Sequence, residues 1–218
     1  MKTDSLRFLQ DEAVRLAQEN SLLRQEVTAL RQSVRALSSV YSVSQNITPK
    51  VDVLMLLSEI LDAAMAVLKA NDGTIMLTDE DTGDLVFTVV RGGAADRLVG
   101  YRLGKGVGIA GWVAEHQQPQ LVRDVRRDSR FYPQVDEAFG FNTRSMVCVP
   151  VFLDDGRVLG IIEVLNKTSD LDFTQDDLNL TLVVAALAAT ALRRAERAIE
   201  LAERDKRRTT LLHSPSGS

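Results

Sequence analysis

The residues with the clearest capacity for chemistry are Gly106, Gly108, Ile109, Ala110 and Gly111, just before Trp112 and Val113. Glycines at this spacing punctuate a turn that enters a short helix. A helix start bearing Gly108, Ile109 and Ala110 can present N–H groups to a phosphate. Trp112 follows that turn and is expected to pack into the core. Elsewhere the side chains that catalysis needs are sparse. The chain has one cysteine, Cys148, and two histidines, His116 and His213. Cys148 stands in an apolar run, which predicts a buried thiol. A single Cys excludes an intrachain disulfide and any CxxC zinc site, and with two His it is too few for a usual structural zinc site. His116 lies among Glu115, Gln117 and Gln118 and is expected at the surface. The sequence offers no nucleophile–base pair and no paired-carboxylate signature. No catalytic residue and no metal ligand is therefore assigned, and a non-enzymatic protein is expected.

The elements that must position such a site begin with a heptad repeat. Leu9, Leu16, Leu23, Leu30 and Leu37 fall at d positions. Leu6, Ala13, Asn20, Val27, Val34 and Tyr41 fall at a. Leucine at d with valine at a favours two parallel strands, and a lone Asn at a pairs with its copy only in register. Glu19 and Glu26 at g face Arg24 and Arg31 at e of a partner. Exposed pairs of this kind give only about 0.2–1 kcal/mol each, so they set register more than stability. A homodimer held through Leu9, Leu16, Asn20, Leu23, Leu30 and Leu37 is expected. A zipper transcription factor is not, because Met1 to Ser5 supplies no basic helix ahead of the heptads.

Composition fits a protein of one globular domain beside the coil. Of 218 residues, 45% are hydrophobic and 26% charged, and the net charge is −4. That balance gives no bulk attraction to nucleic acid or acidic lipid. The longest apolar candidate, residues 178–192, ends in Arg193 and Arg194 and falls short of the roughly 20 residues that span a bilayer. The start leads into heptads rather than an apolar leader. A cytoplasmic protein without nucleic-acid or membrane partners is expected.

The pattern divides the chain into a coil (1–45), a folded domain (46–192), a helical extension (193–210) and a flexible tail (211–218). Thr48 and Pro49 open a helix whose apolar face runs through Val53, Leu54, Leu57, Leu61, Ala64 and Leu68. Asn71, Asp72 and Gly73 are expected to end it. Residues 74–77 and 85–90 read as strands around a turn at Thr82, Gly83 and Asp84, with a short strand at 101–103. Leu121 and Val122 form another. The polar stretch 123–140 holds one short helix. Residues 145–152 and 158–165 are strands joined at Asp154, Asp155 and Gly156. Thr174 caps a long helix reaching about Arg207, with Asp176 and Asp177 in its first turn. A weaker stripe of Ala188, Leu192, Ala195, Ile199 and Ala202 suits pairing with a twin helix or the first helix. The fold class is α+β, an antiparallel sheet with terminal helices on one face.

Four stretches together resemble the GAF domain family of small-ligand sensors. They are 106–113; 121–125 with Asp128, Arg130 and Phe131; 143–151; and 160–167 followed by Phe173, Thr174 and Asp177. The resemblance covers about residues 51–192. It implies a six-stranded antiparallel sheet with helices on one face and a ligand pocket over the other. Family members that bind cyclic nucleotides share a pattern that Asn166, Lys167, Phe173 and Asp177 match, while Leu178 stands where they carry Glu. The resemblance implies a Lys167–Asp177 ion pair that supports the fold near the pocket. It further implies ligand contacts from the backbone at Ile109 and Ala110, from Thr143, and from Glu163, which could accept from a purine edge. Phe139 replaces a Thr of those members, and an Asp that reads the base has no counterpart near Arg91. Thr74 is expected in the pocket wall. The cofactor reading is a cyclic nucleotide or another small ligand. The functional expectation is a dimeric sensor that relays its state through helices to a separate signalling effector protein. The alternative is a ligand-free dimerisation or adaptor scaffold.

Overall fold

The computed structural model describes residues 12–24, 27–28, 34, 38, 53–93, 95–168 and 172–212. The described residues before position 39 are helical. Leu16, Leu23, Val27 and Val34 are about half exposed along them, and Asn20 is exposed too. Leu9, Leu30 and Leu37 lie outside the described residues, as do Thr48, Pro49 and the tail beyond Leu212.

Helix α1 (Val53–Leu68) buries Leu56, Leu57, Ile60, Leu61, Ala64 and Leu68. Their spacing makes a single apolar stripe. Full burial of each Leu or Ile contributes about 2 kcal/mol. The helix ends at Lys69, whose φ of 52° turns the chain straight into strand β1 (Ala70–Thr78). Asn71, Asp72 and Gly73 therefore do not terminate the helix as expected. They are already in the strand, because the left-handed Lys69 does the turning that glycine was expected to do.

Strand β2 (Leu85–Arg91) returns antiparallel to β1, followed by the short helix α2 (Ala95–Leu98) and β3 (Arg102–Leu103). Helix α3 (Gly108–His116) precedes β4 (Gln120–Val122). The polar excursion contains a 3-10 turn (Val125–Arg127) as well as the expected helix, α4 (Pro133–Phe139). Strands β5 (Met146–Phe152) and β6 (Val158–Lys167) form the second hairpin, and α5 (Gln175–Leu212) runs past the expected end at Arg207. The six strands form one sheet in the order β3-β2-β1-β6-β5-β4, with every pairing antiparallel.

Alternation along β6 divides the two faces. Ile162 and Val164 join the core beneath α1 and α5, with Val147, Val149, Val184 and Ala188. Ile161 faces the other side with Met76, Phe87, Cys148 and Val113. Ala188 and Leu192, expected in an intermolecular stripe, are instead buried in the domain's own core. The side chains of Ala195, Ile199 and Ala202 lie outside the described residues. Among the described residues no helix is long and apolar enough to cross a membrane.

The end of β6 is tied to the start of α5. Lys167 Nζ donates to Asp177 Oδ2 at 2.5 Å, and both side chains are largely buried. The same oxygen accepts from Thr174 N at 2.8 Å, while Asp177 N donates back to Thr174 Oγ1 at 3.3 Å. This is a reciprocal cap on the helix start. Lys167 Nζ also stands 5.5 Å from the ring centre of the fully buried Phe173. Replacing Asp177 by Ala strands the lysine and removes the cap. The expected cost is about 3 kcal/mol, read as a lower urea midpoint with an unchanged m-value.

Candidate ligand-binding site

A cavity of about 730 Å³, counted out to its open mouth, lies on the face of the sheet away from α1 and α5. Its floor is one transverse row. Val90 pairs with Thr74, Thr74 with Glu163, Glu163 with Cys148, and Cys148 with Gln120. Directly paired residues in a sheet share a face, so Thr74, Glu163 and Cys148 point to the same side. Thr74 and Glu163 line the cavity.

The glycine-rich segment supplies a second wall. Gly108 has φ of 72°, which suits glycine at the entry to α3. A Cβ at Gly111 would stand 2.5 Å from the carbonyl carbon of Gly106, so the helix can fold back on its own entry only with glycine there. No side chain caps the start of α3. First-turn N–H groups have no partner within a helix, and Gly108, Ile109 and Ala110 all line the cavity. The segment thus enters a short helix, as its glycine spacing predicts.

The remaining wall comes from residues 131–143. Phe131, Val135, Phe139 and Phe141 contribute apolar surface. Phe139 meets Tyr101 edge-on, with ring centres 5.2 Å apart. Thus Thr74, Ile109, Ala110, Phe139, Thr143 and Glu163 all converge on one cavity. Asn166, Lys167, Phe173 and Asp177 do not line it.

Thr143 is engaged inside the protein. Its N–H donates to Asp136 Oδ2 at 2.8 Å and its hydroxyl to Asp136 Oδ1 at 2.7 Å. Asp136, buried and cavity-lining, also receives Arg126 Nη2 at 3.3 Å. A second buried carboxylate, Asp72, accepts from Asn166 Nδ2 at 3.1 Å. Sequence reading missed Asp72, Arg126 and Asp136. An Asp in the first turn of a short helix reads as support for its dipole, and only the fold brings Asp136 to Thr143. Arg91 lines the cavity too, but its guanidinium is paired with Asp62 at 2.7 Å and 3.2 Å.

Glu163 is the third buried acid at the cavity. Burial is the main cause that raises its carboxyl from the ordinary 4.5 to about 7. The Cys148 thiol, which hydrogen-bonds it, pulls the other way, and the nearby Asp136 charge adds to the rise. Cys148 is itself fully buried, as expected, and its pKa is pushed well up, first by burial and then by Glu163. Trp112 is only half-buried. It is stacked on the exposed His116 with ring centres 4.2 Å apart, and Arg130 lies 4.4 Å from its ring centre. The indole thus sits at the rim of the core rather than within it.

Residues 52–192 match the GAF domain model, and the chain belongs to that family. Among curated relatives, it is 33% identical over 92 residues to the dual 3',5'-cyclic-AMP and -GMP phosphodiesterase 11A of Takifugu rubripes, covering 42% of this chain and 10% of that protein. It is 26% identical over 108 residues to the cGMP-specific 3',5'-cyclic phosphodiesterase of Drosophila melanogaster, covering 49% of this chain and 10% of the relative. The chain thus spans about a tenth of the length of these relatives. Among solved structures, the GAF domain of a phosphoenolpyruvate-protein phosphotransferase from Coxiella burnetii superposes with a TM-score of 0.67 at 17% identity, covering 77% of this chain and 96% of that one. A free methionine-R-sulfoxide reductase from Neisseria meningitidis gives 0.64 at 19% identity, covering 76% and 91%. At such identities these two structures establish the fold alone.

A carboxyl whose pKa is raised on folding favours the protonated native state, so stability falls as pH rises from 4.5 to 7. Glu163→Gln removes that dependence. At pH 8 the variant is expected to be about 3 kcal/mol more stable than the parent. The gap closes at pH 4, and urea unfolding at the two pH values measures it.

Proposed function

We propose that this chain is a non-enzymatic, dimeric, cytoplasmic sensor whose GAF domain binds a cyclic nucleotide and passes its occupancy through helices to a separate effector protein. One observation carries the reading. A single cavity joins an uncapped helix start, at Gly108 to Ala110, to a buried carboxyl, Glu163, on the sheet floor. Helix-start N–H groups suit a phosphate, and the carboxyl suits the N–H edge of a base. The relatives named for cyclic-AMP and cyclic-GMP hydrolysis support the ligand class, through a match confined to less than half of this chain. The aromatic side chains of the third wall offer faces on which a base can stack.

The dimer reading rests on the heptads and on the exposure of Leu16, Leu23, Val27 and Val34 among the described helical residues. Such a seam is satisfied by a second copy in parallel register, with Asn20 selecting that register. Helix α5 extends through residues 193–212, beyond the family match, and offers a route for output. Ligand can shift such a route only by binding its two states with different affinity.

Native mass spectrometry of the whole chain with cyclic AMP and cyclic GMP tests both halves of the reading. The expected species is a dimer that gains one nucleotide per chain. Glu163→Ala is expected to weaken that binding at least about tenfold, from loss of a charged hydrogen bond. A dimer that takes neither nucleotide argues for the adaptor scaffold, and a monomer contradicts the coil.

A further inference from the structure

The cavity has one wall that is not built into the sheet or into a long helix. Thr74 and Glu163 sit on the adjacent strands β1 and β6, each paired on both sides. Gly108, Ile109 and Ala110 belong to α3, which buries Ile109, Ala110, Gly111 and Val113. Residues 131–143 differ. Among the described residues, the backbone hydrogen bonds of this segment stay close in sequence, Phe131 N to Asp128 O and Phe141 N to Asp136 O. Helix α4 within it closes at Gly140, with φ of 66°, a left-handed residue suited to a hinge.

One buried side chain fastens α4 to the rest of this wall. Asp136 reaches out of α4 to take the N–H and hydroxyl of Thr143 at 2.8 Å and 2.7 Å, and it draws Arg126 from the 3-10 turn at 3.3 Å. The side chain is 7% exposed, whereas that of Arg126 is 54% exposed. The inner contact is therefore to Thr143, and the arginine closes it from outside. Asn142 strengthens the outer part by accepting from Arg126 Nη2 at 3.0 Å. The wall has other contacts: Asn166 Nδ2 donates to Asn142 O at 3.1 Å, Arg97 Nη2 donates to Phe139 O, Phe139 meets Tyr101 with ring centres 5.2 Å apart, and Arg126 lies 5.3 Å from the ring centre of Phe131.

The geometry points to Asp136 as a positioning residue, the latch that holds α4 against Thr143 as the movable wall of the cavity. The inference rests on reading the cavity as a ligand site, and it adds the device that governs access to it. Val135 and Phe139 ride on the same helix as the latch. Releasing Asp136 from Thr143 frees both from the cavity without disturbing a strand pairing. Thr143 then acts through Asp136 rather than as a free hydroxyl awaiting ligand, which differs from the direct contact that family resemblance implies.

Hydrogen–deuterium exchange on the unliganded full chain tests the latch without a ligand, so its outcome is separate from that of the nucleotide-binding experiment. Asp136→Ala removes every latch contact while placing the best helix former in α4. Exchange across residues 131–143 is expected to rise at least about tenfold, with residues 146–152 and 158–167 keeping their parent protection. Thr143→Ser retains both donors and is expected to behave as the parent, whereas Thr143→Val loses the hydroxyl contact alone and falls between. Unchanged exchange over 131–143 in Asp136→Ala overturns the latch. So does an equal rise over the wall and both strands, which would make Asp136 a support of the whole domain. Parent-like exchange in Thr143→Val would overturn the role of the hydroxyl.

Discussion

The arrangement depends on Asn166, which carries four hydrogen bonds at the end of the central strand. Its N–H donates to Ser145 O at 3.0 Å. Its side-chain oxygen accepts from Arg144 N at 2.9 Å, and its side-chain nitrogen reaches Asp72 Oδ2 and Asn142 O, each at 3.1 Å. The residue holds φ of 53°, a conformation Asn tolerates better than most residues. Through these bonds one side chain joins β6 to β1 and to the lead into β5. Thr143 stands between two of the anchored residues, so its position against Asp136, and with it the placement of α4, follows from Asn166. The next residue, Lys167, fixes the start of α5 through Asp177. The cavity wall on one side of the sheet and the long helix on the other thus meet at two consecutive residues.

The two faces of the sheet solve different problems. Under α1 and α5 the surface is sealed by Leu, Ile, Val and Ala at helical spacing. The opposite face is covered by short helices and loops that cannot seal it as fully. There the floor carries Thr74, Glu163 and Cys148 in one row. Thr74 satisfies its hydroxyl locally, on Val89 O at 3.0 Å. Glu163 has a thiol as its neighbour, a weak donor for a carboxylate. Of the three buried acids at the cavity, Asp136 already holds three donors and Asp72 takes the Asn166 amide, whereas Glu163 has the Cys148 thiol and retains capacity to accept more. Under the sensor reading, that remaining capacity is what a ligand meets.

Much of this was legible in the sequence because it depends on periodicity and turn chemistry. The apolar stripe of α1, both hairpins, the glycine-rich entry to α3 and the capped start of α5 all follow from local pattern. The resemblance brought Thr143, Glu163 and Ile109 to one pocket before any geometry was known. Three features resisted. Asn71 to Gly73 looked like a helix stop, but Lys69 adopts the left-handed conformation first. Asp72 and Asp136 looked like ordinary turn and helix-start acids, because their partners, Asn166 and Thr143, reach them only in the folded chain. The stripe on α5 was read as intermolecular, yet its first half is needed to cover the sheet, a demand that a helical pattern alone does not reveal.

The central claim is that the cavity, rather than an exposed face, receives the signal. Its most direct measurement is a backbone amide NMR titration of the 218-residue chain with cyclic AMP and with cyclic GMP. The account predicts that the largest shifts fall on Gly108, Ile109 and Ala110, together with Thr74 and Glu163 on the floor. Shifts confined to surface residues away from the cavity, or none with either nucleotide, would contradict it.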